Sequence, residues 1–158
     1  MATYNRTSST GGTVGHPASA LKSYVITSPV YDAVDNTDLE QGDIVQLIDL
    51  PADTMIIGGA IEVLEASGNE QITFDVGVTS GALTADALVD GGDSDATGFT
   101  GFSTTALHSN AVTAADTLDL LVIDAGSSKT TAWRFRAHAV LVDISKNPVE
   151  SATVSTGT

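Results

Sequence analysis

One short segment, LDLLVIDAGSSKTTAWRF, contains residue types that can bind a phosphate group. In this segment an apolar run leads into a carboxylate, a glycine and three hydroxyl side chains, at Asp124, Gly126, Ser127, Ser128 and Thr130. A carboxylate can hold the metal ion of a nucleotide, and glycine lets backbone N–H groups approach phosphate oxygens closely. The segment therefore raises the hypothesis of a nucleotide-binding hairpin.

The same segment resembles the first phosphate-binding hairpin of the superfamily that includes sugar kinases and actin. That superfamily needs two large lobes, a second phosphate loop and a catalytic carboxylate, and none of these is recognisable in 158 residues. The triplet DAG also departs from the aspartic protease signature, which has Thr or Ser where Ala125 stands. Because Gly, Asp and Ser are equally the residues of tight turns, we predict a plain β-hairpin, in which the Trp133 strand returns beside residues 118–122.

A second acidic segment, VDGGDSDATGF, places Asp90, Asp93 and Asp95 around two glycines. Closely spaced carboxylates in a loop can ligate calcium, which prefers oxygen ligands. The spacing lacks the bidentate Glu and the fixed Gly of an EF-hand loop. A solvated acidic loop is therefore favoured over a calcium site, and no metal site is assigned.

The remaining candidates for catalysis are isolated from one another in the sequence. His16, His108 and His138 have no Cys, Glu or second His at metal-ligand spacing, and no serine lies in a nucleophile motif. The chain has no cysteine, which excludes a thiol nucleophile and a disulfide framework. We predict a protein that is not an enzyme and that binds no cofactor and no metal.

Three cationic or titratable side chains, Arg134, Arg136 and His138, alternate along one predicted strand of a very acidic chain. They can form cross-strand ion pairs with Asp119 or Asp124 across the predicted hairpin, or they can dock an acidic neighbouring subunit. The first interpretation is favoured over the second.

The charge of the chain restricts its partners. With 20 acidic and 6 basic side chains, the formal net charge is -14 and the isoelectric point is about 4.1. Such a field repels polyanions, so we predict no nucleic acid and no membrane among the partners. The first twenty residues lack the apolar core of a secretory signal, and no apolar run approaches the ~20 residues of a membrane helix, so we expect a soluble protein made in a cytoplasm.

The distribution of residue types predicts three parts. Residues 1–20, rich in Thr, Ser and Gly, are predicted to form a flexible N-terminal arm, residues 21–148 a single folded domain, and residues 149–158 a C-terminal tail. The domain contains short β-type runs separated by Gly, Asp, Asn and Pro, and no long period of 3.6 residues. We therefore predict an all-β fold, an antiparallel β-sandwich or jelly-roll-like barrel of seven to nine strands.

Seven strands are read directly from these runs: KSYVITS, DIVQLIDL, TMIIGGAIEVLEA, QITFDVGV, GFTGFSTTAL, TLDLLVID and TAWRFRAHAVLVDIS. In QITFDVGV, alternation places Ile72, Phe74, Val76 and Val78 on one face, which is typical of a half-buried strand. In the last strand Trp133, Phe135, Ala137 and Ala139 share a face. Beyond Ala139 the apolar positions change parity, which predicts a strand that is buried on both faces or carries a bulge. GALTADALVD can form one helical turn.

Part of the chain resembles a known family. The segments QGDIVQLIDLPADTMIIGGAIEVLEASGNEQITFDVGV and ALVDGGDSDATG resemble the small proteins that decorate, or cement, the capsids of tailed bacteriophages, especially marine and cyanobacterial phages. The similar elements extend roughly from Gly42 to Phe99. They comprise a strand that reaches DLPA, a second apolar strand, a DVG strand and a Gly/Asp loop.

This resemblance implies a β-sandwich or jelly-roll-like domain that forms a homo-oligomer, expected to be a trimer, on the outside of an icosahedral head. Its partner would be the major capsid protein, and assembly would take place in the host cytoplasm. An extended arm can clamp a neighbouring sheet through main-chain hydrogen bonds. The capsid-contact candidates are therefore Thr3, Tyr4, Asn5 and Arg6, where Tyr4 can fill an apolar pocket and Arg6 can pair with a carboxylate.

Two other classes of function fit an all-β chain. A tail, fibre or knob component of the same virion would also be oligomeric, although fibres usually contain repeats and this sequence shows none. A carbohydrate-binding module usually presents exposed aromatic side chains, and here the one Trp lies on the predicted core face.

Overall fold

The structure is a computed structural model that describes residues 22–33, 39–67, 72–78, 86–107, 111–125 and 133–144. These residues form ten strands, β1 to β10, and one helix of four residues, α1. The strands are, in chain order, Lys22–Thr27, Tyr31–Asp32, Ile44–Leu50, Thr54–Glu65, Thr73–Val78, Val89–Asp93, Gly98–Gly101, Ala111–Val112, Asp116–Asp124 and Arg134–Asp143, and α1 spans Thr104–Leu107 between β7 and β8. All seven predicted strand segments contain a strand. Within the described ranges, no helix is long and apolar enough to cross a membrane.

The strands form two antiparallel sheets. Sheet A has the order β1-β10-β4-β7, with β2 also paired to β10 and β8 to β4, and sheet B has the order β3-β9-β5-β6. Each observed pairing is antiparallel. The prediction of an all-β antiparallel fold is confirmed, and the described strands form a sandwich of two sheets.

The core lies between the two sheets and is centred on aromatic side chains. Trp133, Phe135 and Phe74 are fully buried, and the ring centroid of Trp133 lies 4.2 Å from that of Phe135 and 5.7 Å from that of Phe74. Tilted pairs at these distances add to the stabilisation that burial alone provides. The predicted core face of β10, formed by Trp133, Phe135, Ala137 and Ala139, is confirmed because all four residues are fully buried.

Two bulges allow the long apolar run of β4 to fit this core. Along β10 the partner residues in β4 skip Ile57 and Leu64, so that a twelve-residue strand matches the length of ten residues of β10. The bulge at Ile57 reverses the alternation of β4, and Ile56 and Ile61 both point into the core although their positions differ in parity. The bulge predicted beyond Ala139 is present at that level of the ladder, between Val140 and Leu141, but the extra residue, Ile57, lies in β4. Leu141 stays buried, so the core face of β10 keeps its parity.

The predicted hairpin of the Asp124 segment is also wrong. β9 pairs with β3 and β5 in sheet B, whereas β10 pairs with β1, β2 and β4 in sheet A. The chain from Ala125 to Trp133 therefore connects one sheet to the other. The apolar faces of both strands are buried in the same core, so they meet across the sandwich and are not neighbours in one sheet. Residues 126–132 lie outside the described residues.

Three further predictions need correction. β5 is buried on both faces, because Asp75 is also buried and its Oδ1 accepts a hydrogen bond from the Gly91 N–H at 2.8 Å. The predicted strand GFTGFSTTAL divides into β7 and α1, since Phe102 turns into the core. The predicted acidic loop VDGGDSDATGF is mostly β6 and the start of β7. The first half of the predicted helical turn in GALTADALVD, residues 81–85, lies outside the described residues, and its second half is a turn that leads into β6.

Gly58 and Gly59 occupy adjacent positions of β4 with opposite surroundings. A Cβ at Gly59 would overlap the backbone oxygen of His138 and the ring of Phe102, whereas a Cβ at Gly58 would lie 3.8 Å from Cγ2 of Val140, an ordinary contact. The Phe102 N–H also donates to the Gly59 oxygen at 3.0 Å. The absence of a side chain at Gly59 therefore lets Phe102 close that part of the core.

We expect Gly59→Ala to lower the free energy of unfolding by about 1–3 kcal/mol, because the added methyl group must displace Phe102 or the β10 backbone. The matched control, Gly58→Ala, should stay within about 0.5 kcal/mol of the wild type. Chemical denaturation of the three proteins measures both changes. Equal effects of the two substitutions would contradict this account of the packing.

Candidate interaction face

A polar network crosses three strands on the solvent side of sheet A. The Arg136 Nε–H donates to Glu62 Oε2 at 2.5 Å, and His138 Nε2 lies 2.9 Å from the same oxygen. The other ring nitrogen of His138, Nδ1, lies 3.0 Å from the Thr27 hydroxyl. With its proton on Nε2, the ring donates to Glu62 and accepts from Thr27. Side chains therefore join β1, β10 and β4 in addition to the backbone ladder.

Strand alternation and register bring these side chains together. Arg136 and His138 are two residues apart on β10 and therefore share a face. The register places Thr27 of β1 opposite His138 and Glu62 of β4 opposite Arg136. Glu62 is then diagonal to His138, within reach of a long side chain, so one carboxylate serves both donors.

The network also sets the protonation of its carboxylate. The hydrogen bonds from Arg136 and from His138 lower the pKa of Glu62 below its ordinary value of 4.5, and the positive charge of Arg136 acts in the same direction. Partial burial opposes this shift and is the weaker effect. Glu62 therefore remains ionised into moderately acidic solution.

Arg134 completes the row of charges on β10. Its Nε lies 3.1 Å from Oδ2 of Asp32 on β2, the strand that pairs with this end of β10. The prediction that the β10 cations form cross-strand ion pairs is confirmed, but the predicted partners, Asp119 and Asp124, are wrong. Both belong to sheet B, where Asp119 is buried and accepts a hydrogen bond from the Thr117 hydroxyl at 2.6 Å.

Large apolar side chains are exposed around this network. Val25 of β1 is 69% exposed and Phe99 of β7 is 70% exposed, and the Phe99 ring centroid lies 6.1 Å from that of His138. The bulged residues Ile57 and Leu64 of β4 are exposed as well. We call this solvent-facing side of β1, β10, β4 and β7 the sheet A face. Alternation from Ile61 and Val63 would place Ile57 on the core side, and the bulge is what turns it to the outside.

The opposite surface of the sandwich is chemically different. We call the solvent-facing side of β3, β9, β5 and β6 the sheet B face. Its strands place six carboxylates on that side, of which Asp49, Asp90, Asp93 and Asp124 are exposed and Asp75 and Asp119 are buried, and none of the four strands contains Lys, Arg or His. The sheet A face therefore combines compensated charges with apolar side chains, and the sheet B face is acidic.

Asp90 and Asp93 lie in β6, and Asp95 lies in the turn between β6 and β7. Asp93 Oδ1 accepts a hydrogen bond from the Asp95 N–H at 2.8 Å, which is ordinary turn chemistry. Partial desolvation raises the pKa of Asp95, and the neighbouring Asp93 carboxylate raises it further. Within the described ranges, no three His, Cys, Asp or Glu side chains are grouped so that they could hold a metal ion.

Several predicted residues lie outside the described part of the chain. These are the capsid-contact candidates Thr3, Tyr4, Asn5 and Arg6, two of the three histidines, His16 and His108, and the hydroxyl residues of the Asp124 segment. The structure brings the third histidine, His138, into the polar network.

Comparison with known proteins identifies the fold. No protein-family model and no curated protein matches the chain. A chain in the capsid structure of Ralstonia phage GP4 is similar, with a TM-score of 0.57 and 16% identity over 78% of this chain and 86% of that chain. A chain in the cyanophage Pam1 capsid asymmetric unit is similar with a TM-score of 0.57 and 14% identity over 80% and 87%. This chain shares the fold of those phage capsid chains. Because coverage is high in both directions, the similarity includes both sheets.

We expect Glu62→Gln to reduce stability at neutral pH by weakening both hydrogen bonds. A carboxyl group whose pKa is lowered by folding stabilises the fold above its unfolded pKa, and that contribution is lost as the pH falls through the folded pKa. The difference in unfolding free energy between the wild type and Glu62→Gln should therefore shrink below about pH 4.5.

Glu65→Gln, at an exposed position of the same strand, is the matched control, and its difference from the wild type should be smaller at neutral pH. Denaturant titrations over a range of pH values make the measurement. A Glu62→Gln deficit that is the same at neutral and acidic pH would contradict the assigned role of this carboxylate.

Proposed function

We propose that this protein is a non-enzymatic structural component of a phage virion, which binds the outside of the capsid and stabilises it. The observation that carries the proposal is the fold. The sandwich matches chains of two phage capsid structures, and each match covers most of this chain and most of the matched chain. Its partner is the major capsid protein of the head, and the protein assembles onto the head in the host cytoplasm.

The charge of the chain supports the exterior position. A net charge of -14 opposes contact with packaged nucleic acid, so a location outside the shell is more favourable than one inside it. The acidic sheet B face would then be the surface turned to solvent, where a high negative charge keeps neighbouring proteins from adhering.

The composition of residues 1–20 supports a role for the arm in attachment. A Thr-, Ser- and Gly-rich segment can lie along a neighbouring sheet and form main-chain hydrogen bonds, while Tyr4 and Arg6 supply an apolar and a cationic contact. We propose that Thr3, Tyr4, Asn5 and Arg6 contact the capsid.

The alternative of a carbohydrate-binding module is less well supported. Its usual binding element is an exposed aromatic side chain, and the one Trp of the chain, Trp133, is fully buried between the two sheets. A tail or fibre component would share the all-β architecture, and the location of the protein on the particle separates it from a capsid component.

Binding to heads tests the proposal directly. Purified protein should co-sediment with expanded heads of the phage that encodes it, and electron microscopy should show a fixed number of copies in register with the capsid lattice. Heads that bind no protein, or density confined to the tail, would refute capsid decoration.

Removal of residues 2–20 tests the arm separately. We expect the thermal midpoint to change little, because the two sheets supply the core, while the affinity for heads and the resistance of decorated heads to heat both fall severely. A chain that lacks residues 149–158 is the control for truncation as such. Equal head binding by the intact and arm-deleted chains would show that the folded domain alone makes the attachment.

A further inference from the structure

We propose that the sheet A face is the surface through which one copy of this chain binds a second copy. The inference goes beyond the proposed function and does not depend on it, since it follows from the distribution of charge and apolar surface over the two sides of the sandwich.

The exposed apolar side chains are concentrated on this side. Four of the seven large exposed hydrophobic residues of the described ranges, Val25, Ile57, Leu64 and Phe99, belong to strands of sheet A. The register places Val25 opposite Val140, and Gly58 lies beside Val140 on the other side. The missing side chain at Gly58 makes this part of the face shallow and accessible. The register puts Val25 and Ile57 towards one end of the face and Phe99 and Leu64 towards the other, with the polar network between them. Exposed apolar surface that is bordered by polar residues marks a protein contact.

The distribution of charge over the two faces favours a second copy of this chain as the molecule that binds the sheet A face. A partner that is itself strongly acidic is repelled by the sheet B face, where four exposed carboxylates lie on strands without a basic residue. On the sheet A face, Arg136 and Arg134 are paired with Glu62 and Asp32, so an acidic chain can approach without net repulsion. A basic partner would instead prefer the sheet B face. The sheet A face is thus suited to a molecule that carries the same -14 charge.

The available area predicts a contact of moderate strength. The strands β1, β10, β4 and β7 have 6, 10, 12 and 4 residues. At about 3.4 Å per residue and about 4.8 Å between strands, they give on the order of 500 Å² in projection, before side-chain relief is included. Two such surfaces fall in the range of the smaller specific interfaces, below about 1,200 Å² in total. Self-association should therefore depend on protein concentration.

A matched pair of substitutions tests the face. Val25→Asp places a carboxylate on the sheet A face, and Ile44→Asp places one at a 53% exposed apolar position of β3, on the sheet B face. Both positions are exposed, so neither change should disturb the core, which the thermal midpoint checks. In sedimentation velocity of the full chain, Val25→Asp should raise the dissociation constant about tenfold or more, because the new charge must be desolvated. Ile44→Asp should have little effect.

Salt gives an independent readout. A contact between charge-compensated apolar faces of two acidic chains should strengthen as salt screens their general repulsion. A wild type that stays monomeric at every concentration, an oligomer that Ile44→Asp dissociates and Val25→Asp does not, or an oligomer that salt dissociates would each overturn the proposal. Head binding, measured on the same variants, reports on the proposed function alone: a monomer that decorates heads would refute this interface and leave that function standing.

Discussion

Alternation along β10 is the constraint that ties the core of this sandwich to its surface chemistry. Phe135, Ala137, Ala139 and Leu141 are fully buried on one side of the strand, while Arg136 and its neighbours of like parity lie on the other. A slip of one residue against either neighbouring strand would expose the aromatic core and bury cations without partners. The core and the polar network therefore require the same register of β10 against its neighbours, and both stabilise that register.

The same strand organises the charge of the molecule. Within the described ranges the Lys and Arg residues are Lys22, Arg134 and Arg136, on the adjacent strands β1 and β10. The strands of sheet A therefore contain both basic and acidic residues, whose charges can cancel. The charged residues of the sheet B strands are all acidic. The chain thus has one surface that repels other acidic molecules strongly and one that does so weakly. A directional field of this kind selects the orientation in which such proteins approach one another.

The strands and their inward residues could be predicted from the sequence, because alternation is a local signal. Ile72, Phe74, Val76 and Val78 were recognisable as one buried face, and all are fully buried. Strand pairing was not predictable in the same way: β9 and β10 are consecutive, which favoured a hairpin, yet they belong to different sheets. The partner of Arg136 could not be found by spacing either, since Glu62 lies 74 positions away and only the β4–β10 register brings them together.

The two bulges of β4 connect the packing of the core with the role of the surface. Each removes a residue from the ladder and directs an apolar side chain, Ile57 or Leu64, to solvent, which is unfavourable for an isolated chain. The first bulge is needed inside, because it lets Ile56 and Ile61 both reach the core. Nothing in the core requires an isoleucine at position 57, which faces solvent, and a polar residue there would be compatible with the same fold. Apolar residues at such positions are explained when another protein surface covers them, as the proposed contact between two sheet A faces would.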